Sequence, residues 1–334
     1  MTKKEKIIVI GSNSFSGASF VNYVLNENPQ ATVIGISRSV ENNDIFLPYK
    51  KNNSGRFTFH CLDLNIHLNE VIAVIKDFGP DYIVNFSAQG MVGQSWENPE
   101  QWFRTNCIAL MNLANALKKE KYLRRFVQIS SPEVYGSCQG VIKEGAQLRP
   151  STPYAASKAA GDLSLLPFFK NFDFPLVYTR ATNVYGPHQA LYRIIPKSIV
   201  SIKNSQKIPL HGGGVAVKSF IHIRDVCVAT LAVARNGENG EVYHISPDNG
   251  NVSIKDVVRL ICEKLGKNFE SCVENMDERL GQDAAYIIDS TKIRKKLGWE
   301  PTISFERGLN EVISWVEENF DEILKCPRDY AHKP

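Results

Sequence analysis

Residues 6–17 read KIIVIGSNSFSG, a short apolar run followed at once by a turn that begins at Gly11 and ends at Gly17. An apolar run that stops at a glycine is typical of a strand buried on both faces. The residues after the turn have helical spacing over residues 18–25. The stretch therefore predicts a buried strand, a tight turn and a helix in direct succession, which is the first unit of an alternating α/β fold.

The same alternation continues as far as residue 180. Further strands are predicted at residues 32–36, 57–61, 82–86, 126–131 and 176–180, with helices at residues 67–78, 99–120 and 154–171. Strands that are apolar throughout and separated by helices indicate a parallel sheet covered on both faces. The predicted fold class is α/β, with a doubly wound (Rossmann) parallel sheet.

Beyond residue 180 the alternation is less regular. Helices are predicted at residues 194–203, 252–265 and 304–320, and strands at residues 219–223 and 241–245. We predict a sheet domain over residues 1–180 and a smaller, partly interleaved second domain over residues 181–324. Residues 325–334 are expected to form a poorly ordered tail.

The composition narrows the class of protein. Of the 334 residues 43% are hydrophobic and 22% are charged, which is typical of a soluble globular chain. A formal charge of +4 without a dense basic run argues against binding to nucleic acid or to a membrane surface. No apolar run approaches a membrane span or the core of a signal peptide.

The cysteine pattern predicts neither a metal site nor a disulfide framework. The seven cysteines are widely scattered and none forms a C-x-x-C pair. Cys138 lies near the candidate site described below, but it lacks a paired histidine nearby that would favour it as a nucleophile. We therefore expect idle thiols in a reducing, cytoplasmic location.

The glycine turn has the placement that a dinucleotide-binding turn requires, because it follows a strand and opens a helix. Ser14 stands at the middle glycine of the G-x-x-G-x-x-G form. The alternative is a plain strand–helix connector. We predict a nicotinamide cofactor whose pyrophosphate lies against the turn residues Gly11, Asn13, Ser14, Phe15, Ser16 and Gly17.

The end of the second strand bears on which cofactor is bound. NAD sites usually place an acidic residue there, whereas NADP sites use an arginine for the 2′-phosphate. Here the residues are Ser37, Arg38 and Ser39, with no acid before Glu41. Two hydroxyls beside a guanidinium suit a phosphate, so NADP is predicted, with NAD as the alternative. Arg38 could also be an ordinary surface residue.

Residues 126–158 carry the strongest chemical signal. The predicted strand at residues 126–131 delivers Ser131 and Glu133 at its carboxyl end, where open parallel sheets bind ligands. Tyr154 and Lys158 are four residues apart on the following helix, so they project from one face. A hydroxyl, a carboxylate, a phenol and an ammonium group could therefore converge on one bound group.

These motifs together resemble the extended short-chain dehydrogenase/reductases, and within them the nucleotide-sugar 4,6-dehydratases. The similarity runs to about residue 309. GISRS (residues 35–39) and IVNFSAQ (83–89) resemble the GDP-mannose enzymes, whose cofactor is NADP. The stretches that resemble the dTDP-glucose enzymes are TRATNVYGPHQ (179–189), HGGGVAVKSFIHIRDV (211–226) and RLGQDAAYIIDSTKIRKKLGWEP (279–301).

The resemblance implies a role for each catalytic candidate. Tyr154 matches the proton-transferring tyrosine, and Lys158 matches the lysine that lowers that tyrosine's pKa and binds the nicotinamide ribose. Ser131 matches the residue that hydrogen-bonds the C4 oxygen of the sugar. Glu133 matches the dehydratase glutamate, a position at which 4-epimerases usually lack a carboxylate.

One departure from the family concerns Pro132. The dTDP-glucose enzymes have an aspartate there, a proposed acid for expelling the C6 hydroxyl, and proline cannot transfer a proton. The GDP-mannose enzymes carry serine, so the reaction does not require an acid at this position. A single glutamate, Glu133, can take the C5 proton and return it to the departing hydroxyl on the same face.

The resemblance also assigns residues around the rest of both ligands. Additional cofactor residues are Asp63 and Leu64 at the adenine, with Ser87 and Ala88. The substrate residues that it implies are Gln89, Ser95, Asn183, Arg193, Lys218 and Arg279. Three of these are cations, which suits a diphosphate, although Lys218 stands where the family usually has arginine and cannot make a bidentate contact.

The function implied is 4,6-dehydration of a nucleotide-linked hexose in deoxysugar biosynthesis, an NAD(P)-dependent lyase reaction. A hydride moves from C4 to C6 by way of the cofactor, and water is lost between C5 and C6. The alternatives are a 4-epimerase, a 4-keto-sugar reductase and a non-catalytic NAD(P)-binding regulator. The resemblance also implies a homodimer that pairs through the helices at residues 99–120 and 154–171.

Overall fold

The structure is a computed structural model, and it describes residues 4–52, 55–137, 140–247, 251–277 and 287–333. Cys138 and Arg279 lie outside the described residues, so the predictions made for them stay as they were. Within the described ranges, no helix is long and apolar enough to cross a membrane.

The chain alternates strands and helices as predicted. The strands are β1 (Lys6–Ile10), β2 (Thr32–Ser37), β3 (Phe57–Cys61), β4 (Tyr82–Asn85), β5 (Arg125–Ile129), β6 (Val141–Ile142), β7 (Leu176–Ala181), β8 (Asn183–Tyr185), β9 (Ile208–His211), β10 (Val217–His222), β11 (Val242–Ile245), β12 (Asn251–Ser253), β13 (Val273–Met276) and β14 (Ile287–Ile288). The α-helices are α1 (Phe15–Glu27), α2 (Leu68–Phe78), α3 (Pro99–Phe103), α4 (Leu110–Leu117), α5 (Pro153–Phe172), α6 (Ile194–Lys203), α7 (Ile223–Asn236), α8 (Ile254–Lys264), α9 (Phe269–Cys272), α10 (Thr291–Leu297), α11 (Phe305–Glu318) and α12 (Phe320–Lys325).

A seven-stranded sheet forms the centre of the fold, and all of its pairings are parallel. Its strand order is β11-β7-β5-β4-β1-β2-β3. The chain therefore reverses direction across the sheet between β1 and β4, the switch point at which such sheets bind ligands. The predicted fold class is confirmed.

Each face of the sheet is covered by helices that pack through their apolar residues. On one face Phe20 of α1 and Ala229 of α7 lie in a core that also contains Val9 of β1. On the other face Val71 of α2 and Leu165 of α5 lie in a second core. Burial on both faces explains why the central strands β1 and β4 are mostly apolar, whereas the edge strand β3 is only partly buried and contains Thr58 and His60.

The second half of the chain contributes to both parts of the fold. Strand β11 becomes the edge strand of the main sheet, and α7 packs against α1. Helices α6, α8 and α11 form a separate core beside the small sheet β12-β10-β8. The domain boundary at residue 180 stays a prediction, and residues 223–245 are the part that would be interleaved.

Two segments differ from what the sequence predicts. The helix expected over residues 99–120 is continuous only to Leu117, and its middle turn, Arg104–Ala109, is a π-helix. The tail was expected to be poorly ordered, but His332 stacks on the buried Trp102 with 5.1 Å between ring centroids. The tail is therefore packed against the helix that carries the π turn.

Candidate active site

The carboxyl end of β5 presents the first two catalytic candidates. Ser131 is 6% exposed and caps a short 3-10 helix, Pro132–Tyr135, by accepting a hydrogen bond from the N–H of Glu133 at 3.2 Å. Proline suits the first position of this turn because it has no N–H to satisfy there. Pro132 thus has a structural use at the place where a relative could carry an acid.

Helix α5 supplies Tyr154 and Lys158. It begins after Thr152, whose hydroxyl accepts a hydrogen bond from the N–H of Ala155 at 3.1 Å. Lys158 is 3% exposed, and its Nζ donates to the carbonyl oxygen of Ile129 at 2.8 Å. Burial lowers the pKa of Lys158 to about 8, although the charge of Asp162 opposes this.

Three of the predicted residues act directly on Tyr154. Burial raises the pKa of its phenol, and the negative charge of Glu133 raises it further. A hydrogen bond with the side chain of Ser131 and the positive charge of Arg193 lower the same pKa by smaller amounts. The structure therefore brings a hydroxyl, a carboxylate and a guanidinium group around one phenol. Lys158 is not among the groups that act on the Tyr154 pKa here, and its predicted lowering of that pKa stays a prediction.

The turn after β1 has a shape that only glycine allows at two positions. Gly11 has a φ of +82°, and a Cβ there would lie 2.7 Å from the backbone nitrogen of Ser87. A Cβ on Gly17 would lie 2.2 Å from the carbonyl oxygen of Gly11. Ser14 caps α1, accepting from the N–H of Gly17 at 3.1 Å. This close backbone turn at a helix N-terminus fits the pyrophosphate of a dinucleotide.

The other turn residues hold the turn in place. Asn13 is buried, and its Nδ2 donates to the carbonyl oxygen of Val40 at 2.8 Å while its N–H donates to Ser37 Oγ at 2.9 Å. Phe15 packs against the core beneath α1, and Ser16 is half-buried in the first turn of that helix. These contacts join the glycine turn to the loop after β2.

That loop carries the residues predicted to select the cofactor. Ser39 Oγ accepts from Asn13 at 3.3 Å, and Arg38 is exposed. Glu41, the nearest acid, accepts a hydrogen bond from Tyr49 at 2.8 Å and is also paired with Lys50. The acid of this loop is therefore engaged with Tyr49 and Lys50.

Several of the remaining cofactor predictions fall on residues with structural contacts. The N–H of Ser87 donates to Asn85 Oδ1 at 3.1 Å, and Ala88 beside it is exposed. Asp63 accepts from the N–H of Asn65 at 2.8 Å, as an aspartate in a turn commonly does. Leu64 is 6% exposed and lies in the core.

The predicted substrate residues fall into two groups. Gln89 is buried beside the site loops, and the hydroxyl of the buried Ser95 donates to the carbonyl oxygen of Val92 at 2.6 Å within its own turn. Asn183 on β8 and Lys218 on β10 lie on neighbouring strands of the small sheet, where Asn183 donates to the carbonyl oxygen of Ser219 at 3.3 Å. The positive charge of Arg193 acts on Tyr154.

Sequence reasoning missed Asn106, which lies in the π-helical turn and is 2% exposed. Its Oδ1 accepts from the N–H of Gln89 at 2.9 Å, and its Nδ2 donates to Ser157 Oγ at 2.9 Å. The residue ties the loop after β4 to helix α5. A polar residue amid the apolar spacing of a helix was the only signal that could have found it.

Sequence reasoning also missed the contacts of the tail with the site. The carbonyl oxygen of Lys333 accepts from Arg38 Nη2 at 3.0 Å and from Gln89 Nε2 at 2.8 Å. Arg38 follows β2 and Gln89 follows β4, and these two strands flank β1 in the sheet. The tail therefore crosses the carboxyl ends of the strands, next to the glycine turn that follows β1.

The parallel sheet, the glycine turn and the Tyr154–Lys158 pair define an extended short-chain dehydrogenase/reductase. Comparison with known proteins gives the family: the family model described as GDP-mannose 4,6 dehydratase matches residues 8–312. The chain therefore belongs to the GDP-mannose 4,6-dehydratase family. This confirms the predicted resemblance and favours a nucleotide-sugar 4,6-dehydratase over the epimerase, the reductase and the non-catalytic regulator.

Individual relatives agree with the family. A dTDP-glucose 4,6-dehydratase of Streptomyces niveus is 32% identical over 338 residues, which span 98% of each chain. Crystal structures of two further dTDP-glucose 4,6-dehydratases superpose closely. That from Bacillus anthracis, in complex with NAD, is 30% identical with a TM-score of 0.86, covering 95% of this chain and 98% of that one. DesIV from Streptomyces venezuelae, with NAD bound, is 28% identical with a TM-score of 0.88 and the same coverage.

Proposed function

We propose that the chain converts a nucleotide-diphosphate hexose into its 4-keto-6-deoxy derivative, with Ser131, Glu133, Tyr154 and Lys158 as the residues that carry the reaction. The observation that carries this proposal is the arrangement around the Tyr154 phenol. The Ser131 hydroxyl hydrogen-bonds it and the Glu133 carboxylate lies close enough to raise its pKa. The site thus offers Tyr154 for proton transfer at a sugar oxygen and Glu133, beside it, for proton transfer at a sugar carbon.

The residue roles follow from this arrangement. Tyr154 takes the proton of the C4 hydroxyl, and Ser131 orients that hydroxyl by a hydrogen bond. When bound, a nicotinamide cofactor would supply the hydride chemistry between C4 and C6. A ketone at C4 acidifies the C5 hydrogen, which Glu133 removes and then delivers to the departing C6 hydroxyl. Pro132 takes no part, so Glu133 acts as both base and acid.

The proposal for the cofactor is NADP, with NAD as the alternative. The exposed Arg38 and the hydroxyls of Ser37 and Ser39 support a 2′-phosphate contact, and Glu41 is held by other residues. NAD is the cofactor in the complexes of the two similar crystal structures. Titrating wild type and Arg38→Ala with each cofactor by calorimetry separates the two. An NADP site requires weaker NADP binding in the variant, while an NAD site leaves both affinities unchanged.

For the nucleotide half of the substrate we propose Asn183, Arg193, Lys218 and Arg279, with Gln89 and Ser95 bordering the sugar. Two or more cations beside a diphosphate give strong charge-assisted hydrogen bonds. Lys218 contributes a point charge only, so replacing it with arginine is expected to lower the KM for the nucleotide sugar. Lys218→Gln is the matched variant that removes the charge.

The reaction is tested by incubating the purified protein with GDP-, UDP-, dTDP- and CDP-hexoses and measuring product mass. The expected product has lost one water without added oxidant. An unchanged mass with inversion at C4 would identify an epimerase, and stoichiometric NADPH consumption would identify a reductase. Glu133→Gln should retain substrate binding and lose elimination. Full activity in that variant would disprove the role given to Glu133.

A homodimer is part of the proposal. Phe103, Ile108 and Met111, on α3, the π turn and α4, are 36%, 50% and 37% exposed, and Leu163 on α5 is 53% exposed. Exposed apolar residues grouped on adjacent helices favour an interface. Light scattering of Ile108→Glu/Leu163→Glu should give a monomer. Leu324→Glu, on the exposed side of α12, should leave the mass of wild type unchanged.

A cytoplasmic location is also proposed. Cys61, Cys107, Cys227, Cys262, Cys272 and Cys326 are all free. Free thiols are typical of a reducing compartment. Fractionation with immunodetection would test this directly.

A further inference from the structure

A buried ion pair lies directly behind the candidate active site. Arg180 Nη2 donates to Asp162 Oδ2 at 2.8 Å, and each side chain is 4% exposed. A buried ion pair adds little to stability, because two charges must lose their water. An apolar pair of similar volume would often stabilise the protein as well or better. A pair retained at this cost points to a need for defined geometry.

Beside the ion pair, which joins α5 to β7, three ties connect helix α5 to the end of β5. Lys158 donates to the carbonyl oxygen of Ile129 at 2.8 Å. The next residue, Ser130, donates its hydroxyl to Asp162. Residue 131, the next along, hydrogen-bonds residue 154. Residues 154, 158 and 162 are one helical turn apart, so three consecutive strand-end residues each meet the same helical face.

Arg180 extends the same network to the 3-10 helix that carries Glu133. Its Nη1 donates to the hydroxyl of Tyr135, the last residue of that helix, and Tyr135 is 2.7 Å from His244 Nε2. Burial lowers the pKa of His244 to about 3, so its ring is neutral. The ring donates through Nδ1 to the carbonyl oxygen of Asp289 at 3.1 Å and accepts from Tyr135. The hydrogen bonds therefore run in one direction, from the Arg180 guanidinium through Tyr135 and His244 to the carbonyl oxygen of Asp289.

The charges of the pair also act on Lys158. Burial is the main influence on its ammonium group; Asp162, one turn along α5, favours the charged form, and Arg180 on β7 opposes it. Tyr178 on β7 contributes a hydroxyl that donates to the backbone oxygen of Asp162 at 2.7 Å. Asp162 thus favours the charged form of the buried Lys158, against the effect of burial.

We propose that Asp162 and Arg180 are positioning residues that fix helix α5 and the Pro132–Tyr135 helix relative to each other, and so set the distance between Tyr154 and Glu133. This inference rests on the proposed function for its kinetic test. Tyr154 and Glu133 are proposed to transfer protons at the C4 oxygen and at C5 of one bound sugar. Both transfers require the distance between the two side chains to be held closely. Neither residue needs to touch substrate or cofactor.

The test uses the full-length protein with Asp162→Leu and Arg180→Met together, which replaces the pair by apolar side chains of similar volume. We expect a folded protein with unchanged KM and a kcat that falls about 100-fold, as a displacement of about 1 Å produces. Amide hydrogen exchange in residues 129–135 should rise, while exchange in β1 and β2 stays that of wild type. Wild-type kcat together with wild-type exchange would overturn the proposal.

Two further measurements keep the test decisive. Asp162→Asn keeps the side-chain volume and removes the charge that pairs with Arg180, so amide exchange in residues 129–135 should rise in this single variant while KM stays that of wild type. If the double variant does not fold, Ser130→Ala removes one tie and keeps the ion pair, and the same exchange measurement applies. If wild type dehydrates no nucleotide sugar, the proposed function fails, while the exchange result still decides the positioning role.

Discussion

Replacing Lys158 with methionine should stabilise the cofactor-free protein while removing its activity. The ammonium group is 3% exposed, and burial lowers its pKa from 10.5 to about 8. This gap corresponds to about 3 kcal/mol by which the charged side chain destabilises the folded state. Methionine fills a similar volume without charge, and it loses one hydrogen bond to Ile129 worth about 1 kcal/mol. The expected net gain at pH 7 is about 2 kcal/mol.

The difference in unfolding free energy between wild type and Lys158→Met should depend on pH. Below pH 8 Lys158 is protonated in both the folded and the unfolded chain, so its cost is fully present. Between pH 8 and 10.5 only the unfolded chain binds the proton, and wild-type stability therefore rises with pH relative to the variant. The advantage of Lys158→Met should accordingly shrink as the pH is raised from 7 to 10.

The assay is urea unfolding of cofactor-free wild type and variant across this pH range. Lys295→Met is the control, because Lys295 is exposed and its replacement should leave the free energy of unfolding unchanged. Equal stability of Lys158→Met and wild type at pH 7 would refute the reasoning. So would a stability difference that does not change between pH 7 and 10.

Three other predictions follow from contacts in the site. Gly17→Ala should weaken cofactor binding about tenfold by calorimetry, since overpacking typically costs about 1–3 kcal/mol. Gly145→Ala, where an added Cβ meets nothing within 4 Å, should bind like wild type, and equal affinities in both variants would contradict the fit. Asn106→Ala leaves buried backbone groups without their hydrogen-bond partner and should lower the urea-unfolding free energy by about 1–3 kcal/mol; an unchanged midpoint would count against it. Removing residues 328–334 takes away the contact between Lys333 and Arg38 and should tighten cofactor binding, and a weaker affinity would show that the tail assists binding instead.

The elements that the sequence predicts well are those whose pattern is local. Strands β1 and β3 and helix α6 have the predicted bounds, because turn residues mark the ends of each of these segments in the sequence. The glycine turn was identifiable for the same reason: strand, turn and helix are contiguous. Tyr154 and Lys158 were identifiable because helical spacing alone places them on one face.

The features that escaped prediction depend on contacts between distant parts of the chain. Nothing near Arg180 indicates that its partner is Asp162, because the two meet only when β7 and α5 pack together. Helix α7 was not predicted at all, and strand β11 was predicted without its place at the edge of the main sheet. The tail is polar and near a terminus, which favours disorder in isolation. Its order comes from stacking on Trp102, a tertiary contact.

The position of Lys333 has a practical consequence for producing this protein. Its carbonyl oxygen lies between Arg38 and Gln89, at the edge of the sheet where the cofactor is proposed to bind. An affinity tag fused after residue 334 would start close to this edge of the sheet. Its steric effect on the cofactor would be measured as weak binding or low turnover. A tag placed before β1 enters at the opposite edge of the sheet, because the parallel strands all begin there. Kinetic constants measured with the two tag positions are therefore not interchangeable until the tag has been cleaved.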